Sequence, residues 1–303
     1  MTSLLNSLLL ESTILLTALS TLLSSICFDL PLLLPLDHLI ELLRSPQQWK
    51  VLLAKFEQWM IELIQEKRDK LQSLKEGEES PVTDILDVLV RAHDGESGSL
   101  TDKEVIHNMN TFFIAGHETT ASALTISLHL LAEHPEIQRR CFEDIINVSG
   151  DEDATSDQLK EMKFLEACVK EALRMYSPAP NVARTVKEDT TIGGYFFPKG
   201  TMVLAMIHTI HRNPKHWKDP DAFNPDRFIE DKERDSFLLL PFSKGSRMCI
   251  GVNFAMLELK ALLSLMLRKY EFYKEESDPR FKPFLGAVLS PNPACPIRFR
   301  PRV

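Results

Sequence analysis

One cysteine stands in a frame of glycines and a cation in PFSKGSRMCIGVNFAMLELK, residues 241–260. Cys249 has Gly245 and Gly251 on either side and Arg247 two residues before it. The stretch holds no second cysteine and no histidine, so it lacks the donor set of a zinc or iron–sulfur centre. A thiol binds metal only as a thiolate, and three features favour that form. The apolar run that follows predicts a helix from about Cys249 to Tyr270, which puts the sulfur at a helix N-terminus. Arg247 adds a positive charge nearby, and the two glycines let backbone amides approach the sulfur. A single thiolate suffices when a macrocycle supplies the other ligands, as porphyrin does for a haem iron.

A second chemical cluster lies in FFIAGHETTASAL, residues 112–124. Ala115 and Gly116 clear side chains from one part of a helix, leaving room for a flat cofactor and a small ligand. Thr119 can bond back to the carbonyl of Ala115 and bend the helix. Glu118 and Thr119 put an acid beside an alcohol, and that pair can pass protons from water into oxygen chemistry. A third cluster is KEALR, which sets Glu171 and Arg174 three apart on neighbouring positions of a helix surface. Glu171 lies at the edge of an apolar stripe with Phe164, Cys168 and Met175. A carboxylate buried there must be paired.

These residues need a mainly helical frame. Thr101 and Glu104 form a capping box that opens a helix running to Glu133, before His134-Pro135, roughly 50 Å at 1.5 Å per residue. From Asn110 to Leu131 it is apolar on nearly every side, which predicts a path through the middle of the core. A transmembrane reading fails on Gly116-His117-Glu118 at its centre. Residues 46–75 read as a long amphipathic helix and 82–93 as a short one. Pro135 starts a helix that Gly150 ends. Thr155 and Gln158 form a second capping box, and the helix carrying KEALR stops before Pro178. Residues 182–206 read as strands with turns at Gly193-Gly194 and at Pro198-Lys199-Gly200. A proline-rich loop region covers 213–241, and a strand-rich tail ends the chain. The expected fold class is mainly α with a small β-sheet.

Composition sets the outer bounds. The 303 residues are 44% apolar and 26% charged, as in ordinary folded proteins. The net charge of −8 argues against a nucleic-acid partner, which would require a basic face. Five widely spaced cysteines make no disulfide framework and fit a reducing compartment, with Cys141 and Cys168 expected as small core residues. The leucine-rich first 36 residues lack a basic start and read as a core helix rather than a signal peptide or span.

The pattern Phe242, Gly245, Arg247, Cys249, Gly251 resembles the haem-binding loop of the cytochrome P-450 family, and residues 112–124 resemble its distal oxygen helix. The resemblance implies haem (iron protoporphyrin IX) with Cys249 as axial ligand, and Phe242, Gly245, Gly251, Ala115 and Gly116 around it. Arg247 and Arg184, the latter in NVARTV, match arginines that bind the haem propionates, and Val182 and Ala183 could line the substrate side. Glu118 and Thr119 would serve proton delivery. Glu171 and Arg174 would be joined by Arg227 of FNPDRF as a structural lock on the cysteine loop, while His208 and His211 read as structural.

The implied activity is a monooxygenase inserting one atom of O2 into a small apolar organic substrate. Its electrons would derive from NAD(P)H through a redox partner, an NADPH-dependent reductase or a ferredoxin-type donor, with Lys244 a candidate contact. The alternatives are a haem-thiolate isomerase, dehydratase or peroxygenase, or an inactive fragment without haem. The whole chain reads as one partial domain of the family: helices over 28–100, the distal helix over 101–134, the Glu-x-x-Arg helix over 155–177, and the thiolate loop with its proximal helix over 241–270. Family members are longer at the N-terminal side. Their Trp-x-x-x-Arg motif is absent before residue 101, since neither Trp49 nor Trp59 has an arginine four on. Membrane association would come through that longer N-terminal part, at the endoplasmic reticulum in a eukaryote, and the site otherwise would be cytoplasmic.

Overall fold

A computed structural model describes residues 46–73, 84–94, 100–230, 235–285, 288–291 and 296–302. The readings of residues 1–45, and of Cys27 and Cys295, lie outside them. The chain divides into two compact units at His117/Glu118.

The first unit contains α1 (Pro46–Gln72), α2 (Ile85–Asp94) and the start of α3 (Asp102–Glu133). Its core gathers Met60, Ile64, Val90, Val105 and Ile106. Lys67 bridges Asp84 at 2.6 Å and Asp87 at 3.0 Å, tying α1 to the start of α2. The capping box that opens α3 is present: the Thr101 N–H donates to Glu104 Oε2 at 2.7 Å, and the Glu104 N–H donates to Thr101 Oγ1 at 3.3 Å.

The second unit holds the rest of α3, then α4 (Pro135–Ser149), α5 (Ser156–Glu161) and α6 (Lys163–Met175). Pro135 opens α4, and Gly150 closes it at φ 60 with its N–H on the Ile146 carbonyl. Thr155 and Gln158 form the expected capping box of α5. Two hairpins follow. β1 (Val182–Thr185) pairs antiparallel with β4 (Met202–Ala205), and β2 (Thr190–Ile192) with β3 (Tyr195–Phe197). The β2–β3 turn is Gly193-Gly194 with both φ values positive, the conformation a two-residue hairpin turn requires. Short helices α7 (Ile207–His211) and α8 (Arg227–Glu230) lie in the loop region. α9 (Val252–Lys269) runs into β5 (Tyr270–Tyr273), which pairs with β8 (Arg298–Pro301), and β6 (Pro283–Leu285) pairs with β7 (Leu289–Pro291). The β-structure is therefore four separate two-stranded ribbons among the described residues.

The core of this unit packs the second half of α3 against α4, α6 and α9, with Ile126, Leu131, Ile145, Leu165, Val169 and Leu263 fully buried. Gln138 of α4 is buried and satisfied: its Nε2 donates to the Leu131 and Phe272 carbonyls, and its Oε1 accepts the Phe272 N–H. Cys141 and Cys168 are buried as expected, with their sulfurs 3.1 Å apart. Burial pushes the Cys168 thiol well above its ordinary value. No helix among the described residues is long and apolar enough to cross a membrane.

Two buried histidines make the fold acid-sensitive. His129 of α3 stacks on Phe281 at 4.6 Å between ring centroids, and its Nδ1 has no hydrogen-bond partner among the described residues. Burial, reinforced by the Lys274 charge, pushes its pKa down to about 4. Burial does the same for His211, also to about 4. The unfolded chain binds these protons near pH 6.5 and the folded chain only near pH 4. Stability is therefore full above pH 6.5 and falls as pH drops from there to 4, by up to about 3 kcal/mol for each ring. Urea titrations at pH 7 and pH 4.5 are expected to show that loss, and His129→Phe to reduce it while keeping stability at pH 7. An equal acid loss in His129→Phe would contradict the assignment.

Candidate functional site

Cys249 is exposed, in a loop whose geometry is set by backbone bonds. Its N–H donates to the Phe242 carbonyl at 2.9 Å, closing residues 242–249 on themselves. The Phe242 side chain packs on the large core, so one residue anchors the loop at both its side chain and its carbonyl. Inside the loop, Ser243 has φ 60 and Gly245 φ 80, and a short 3-10 turn covers Gly245–Arg247. A Cβ built on Gly245 would meet nothing within 4 Å, so the glycine is needed for its backbone angle and not for space. Gly245→Ala is expected to cost about 1 kcal/mol through φ alone, read as a small drop in the melting temperature without a packing defect. Gly251 has ordinary φ, and its Cβ would touch only Cys249 Sγ at 3.9 Å.

The helix after the loop begins later than the spacing suggests. Gly251 is the N-cap and α9 starts at Val252, so Cys249 lies two residues before the N-cap and not in the first turn. Arg247 ends the 3-10 turn, exposed. Near the sulfur in sequence, large apolar side chains are open: Met248 is 51% and Ile250 83% exposed in the loop, and Phe254 72% exposed on α9. Arg184, on β1, is exposed as well and donates only locally, to the Ala183 carbonyl at 2.8 Å.

The distal-type stretch of α3 is placed differently from expectation. Burial is unbroken only from Ile126 to Ala132; 120–125 is mixed, with Ala121 exposed, and 110–119 is half-buried or exposed. Ala115 and Gly116 are exposed, Glu118 and Thr119 half-buried. A Cβ on Gly116 would meet nothing within 4 Å, so no packing among the described residues requires a glycine there. The apolar count along α3 overstates its burial: even the large side chains Phe112, Phe113 and Ile114 are only half-buried.

The three residues expected to lock the loop region are brought together. Glu171 and Arg174 are both 0% exposed. Arg174 grips Glu171 with two bonds, Nε to Oε2 at 2.7 Å and Nη2 to Oε1 at 2.9 Å. Arg227 Nε adds a bond to Oε1 at 3.0 Å, and the Asn224 N–H another at 2.9 Å. Both guanidinium groups then donate to loop carbonyls: Arg174 to His211 and Pro220, Arg227 to Lys218 and Asp219.

Two further contacts fasten the loop region, one through Arg140, which the motifs miss, and one through His211, expected as structural. Arg140 of α4 makes a two-bond pair with Asp226, at 2.9 and 2.6 Å, fastening the same loop from a second helix. His211 joins Arg174 to Leu240, just before the cysteine loop. Neither was findable from spacing, since each bond joins residues far apart in sequence.

Beside the loop runs an open groove of about 700 Å³, lined by Met248 and Val252 next to the cysteine, and by Lys160, Lys170, Lys244 and Lys260. Glu166, also on its wall, is hydrogen-bonded by Lys260 at 3.0 Å and paired with Lys170 at 2.6 Å. Burial opposes its charge, but the two lysines outweigh that and hold its pKa below the ordinary carboxylate value. The groove is left with an excess of positive charge.

Comparison with known proteins shows the family. The sequence model of the cytochrome P450 family matches residues 3–297, and the chain belongs to that family. It is 39% identical over 214 residues to cytochrome P450 4A10 of Rattus norvegicus, covering 69% of this chain and 42% of that protein. With cytochrome P450 4F2 of Homo sapiens it shares 35% identity over 266 residues, covering 84% of this chain and 51% of that protein. The chain thus spans about half the length, or less, of these relatives. The solved heme domain of cytochrome P450DA superposes with a TM-score of 0.74 at 30% identity, over 88% of this chain and 59% of that one. The fold is that of the family.

The residues present fit a haem. Cys249 is an exposed soft donor, apolar side chains surround it in sequence, and Arg184 and Arg247 are open to solvent with guanidinium groups suited to carboxylates.

Proposed function

We propose that the chain serves a haem-thiolate monooxygenase, which inserts one atom of O2 into a small apolar organic substrate and reduces the other to water with two electrons and two protons. The observation that carries this reading is Cys249, held exposed in a loop closed by its own N–H on the Phe242 carbonyl. When bound, haem supplies the reductive activation of dioxygen. The chain's residues do the rest. Cys249 Sγ would supply the thiolate that holds the iron. Arg184 and Arg247 would hold the propionates. Gly245 and Gly251 shape the loop, and Ala115 and Gly116 leave α3 bare for a flat group. Glu118 and Thr119 hold and pass protons at a carboxylate oxygen and Oγ1. Val182 and Ala183 face the substrate, and Glu171, Arg174 and Arg227 form the scaffold. In this reading the chain, 1–303, is one part of a P450 domain.

The test is the haem-loaded chain, reduced under carbon monoxide and then assayed with an apolar probe substrate, an NADPH-linked reductase and O2. A thiolate-type band with NADPH-dependent hydroxylation is expected. Turnover of peroxides without any electron donor would favour an isomerase or peroxygenase, and a protein that stays colourless would point to a haem-free remnant. Thr119→Ala is expected to lower product formation about 100-fold while leaving the carbon monoxide band unchanged.

Electrons would enter through the lysine groove, where an acidic face of a reductase or ferredoxin-type donor finds charge complementarity. Lys244 Nζ lies 4.2 Å from the centroid of the Phe237 ring, at the rim. Lys244→Glu is expected to slow reductase-supported turnover roughly tenfold at low salt and to leave dithionite reduction untouched. Identical rates with the protein donor would remove the groove from the account.

A further inference from the structure

His211 ends α7 and is completely buried. Both of its ring nitrogens are used, and by backbone groups of different elements. Nδ1 lies 3.1 Å from the Arg174 carbonyl, at the end of α6, and Nε2 lies 2.8 Å from the Leu240 N–H. A carbonyl requires a donor and an amide N–H requires an acceptor. The two partners therefore select one neutral tautomer, with the proton on Nδ1. The contact with Arg174 is reciprocal, because Arg174 Nη1 donates to the His211 carbonyl at 2.8 Å.

Leu240 is the last residue able to donate a backbone bond before Pro241, which has no N–H. From Leu240 the bonds continue into the thiol loop. The Leu240 carbonyl accepts the Ser243 N–H at 3.0 Å, and the Phe242 carbonyl accepts the Cys249 N–H at 2.9 Å. The ring is thus the side-chain step in a chain of bonds from the Glu171–Arg174 pair to the residue that bears the sulfur. A histidine that merely filled space would not need two backbone partners in separate segments.

We propose that His211 is a positioning residue: through the Leu240 amide it transfers the buried Glu171–Arg174 anchor to the loop that presents Cys249. Its effect on haem ligation rests on the reading of Cys249 as the ligand; its mechanical effect on the loop does not. The depressed pKa of the ring agrees with a histidine kept neutral as an acceptor.

The test compares His211→Phe, which fills the space with no polar atom, with His211→Gln, whose amide oxygen can accept the Leu240 N–H. Hydrogen exchange at Leu240 is measured on the haem-free full chain, and the share of thiolate-type carbon monoxide band on the haem-loaded one. In His211→Phe, Leu240 exchange is expected to speed about tenfold more than amides in the middle of α9. The thiolate share is expected to fall roughly threefold at equal haem content. His211→Gln should recover most of both. A Leu240 amide still protected in the Phe variant would overturn the proposal, as would equal damage by Phe and Gln across all amides. Should the Phe variant not fold, nitrogen NMR of the unmodified protein decides, because a proton on Nε2 contradicts the bridge. If the unmodified protein gives no thiolate band yet Leu240 responds as stated, the ligand assignment falls and the bridge stands.

Discussion

Serine at position 249 is expected to abolish the thiolate-type carbon monoxide band completely and to leave the melting temperature unchanged. The two halves of that result have separate causes. Cys249 is exposed and contributes its backbone, not its side chain, to the loop: the bond that closes residues 242–249 is its N–H on the Phe242 carbonyl, which serine retains. Replacing an exposed sulfur with oxygen removes no buried contact, so the change in folding free energy should stay within about 0.5 kcal/mol. The chemistry has no such reserve. A serine hydroxyl titrates far too high to give an anionic ligand at neutral pH and is harder than sulfur, so the variant would offer a haem iron no electron-rich donor at this position. Comparison of calorimetric melting with the reduced carbon monoxide spectrum checks both halves. A band that survives in Cys249→Ser would assign the ligand elsewhere, and a large fall in melting temperature would mean that the thiol is structural.

Glu171→Ala should do the opposite, harming the fold first. Four donors converge on this carboxylate at 2.7–3.0 Å: two from Arg174, one from Arg227 and the Asn224 N–H. Removing it leaves the Arg174 guanidinium charged and 0% exposed with only carbonyl partners. Breaking one side of a buried pair costs about 3–5 kcal/mol, a large share of the stability of an ordinary domain. Expression as aggregate, or a urea midpoint lowered by well over 1 M, is the expected outcome. Glu171→Gln keeps the shape but not the charge and should fall between. A soluble Glu171→Ala protein with native stability would show that the pair is dispensable.

Much of the frame was legible in the sequence. Both capping boxes, the Pro135–Gly150 helix and the hairpin at Gly193-Gly194 follow from local chemistry, and local chemistry is what spacing records. The Glu171–Arg174 pair was legible because three residues apart on a helix means contact. Three things were not. The start of α9 moved from Cys249 to Val252 because the apolar run does not mark where the loop's own bonds, Cys249 to Phe242, stop the helix. The buried length of α3 was overread because hydrophobicity does not say which side has neighbours, and 115–117 are exposed. The Arg140–Asp226 pair spans 86 residues and the His211–Leu240 bond 29, distances over which helical spacing carries no pairing information.

The proposed activity requires a bond between the Cys249 sulfur and haem iron. Iron X-ray absorption on the haem-loaded chain reads that bond, with Cys249→Ser as the control. One sulfur neighbour to iron is expected in the unmodified protein and none in the variant. An iron shell of nitrogen and oxygen alone in the unmodified protein would contradict it.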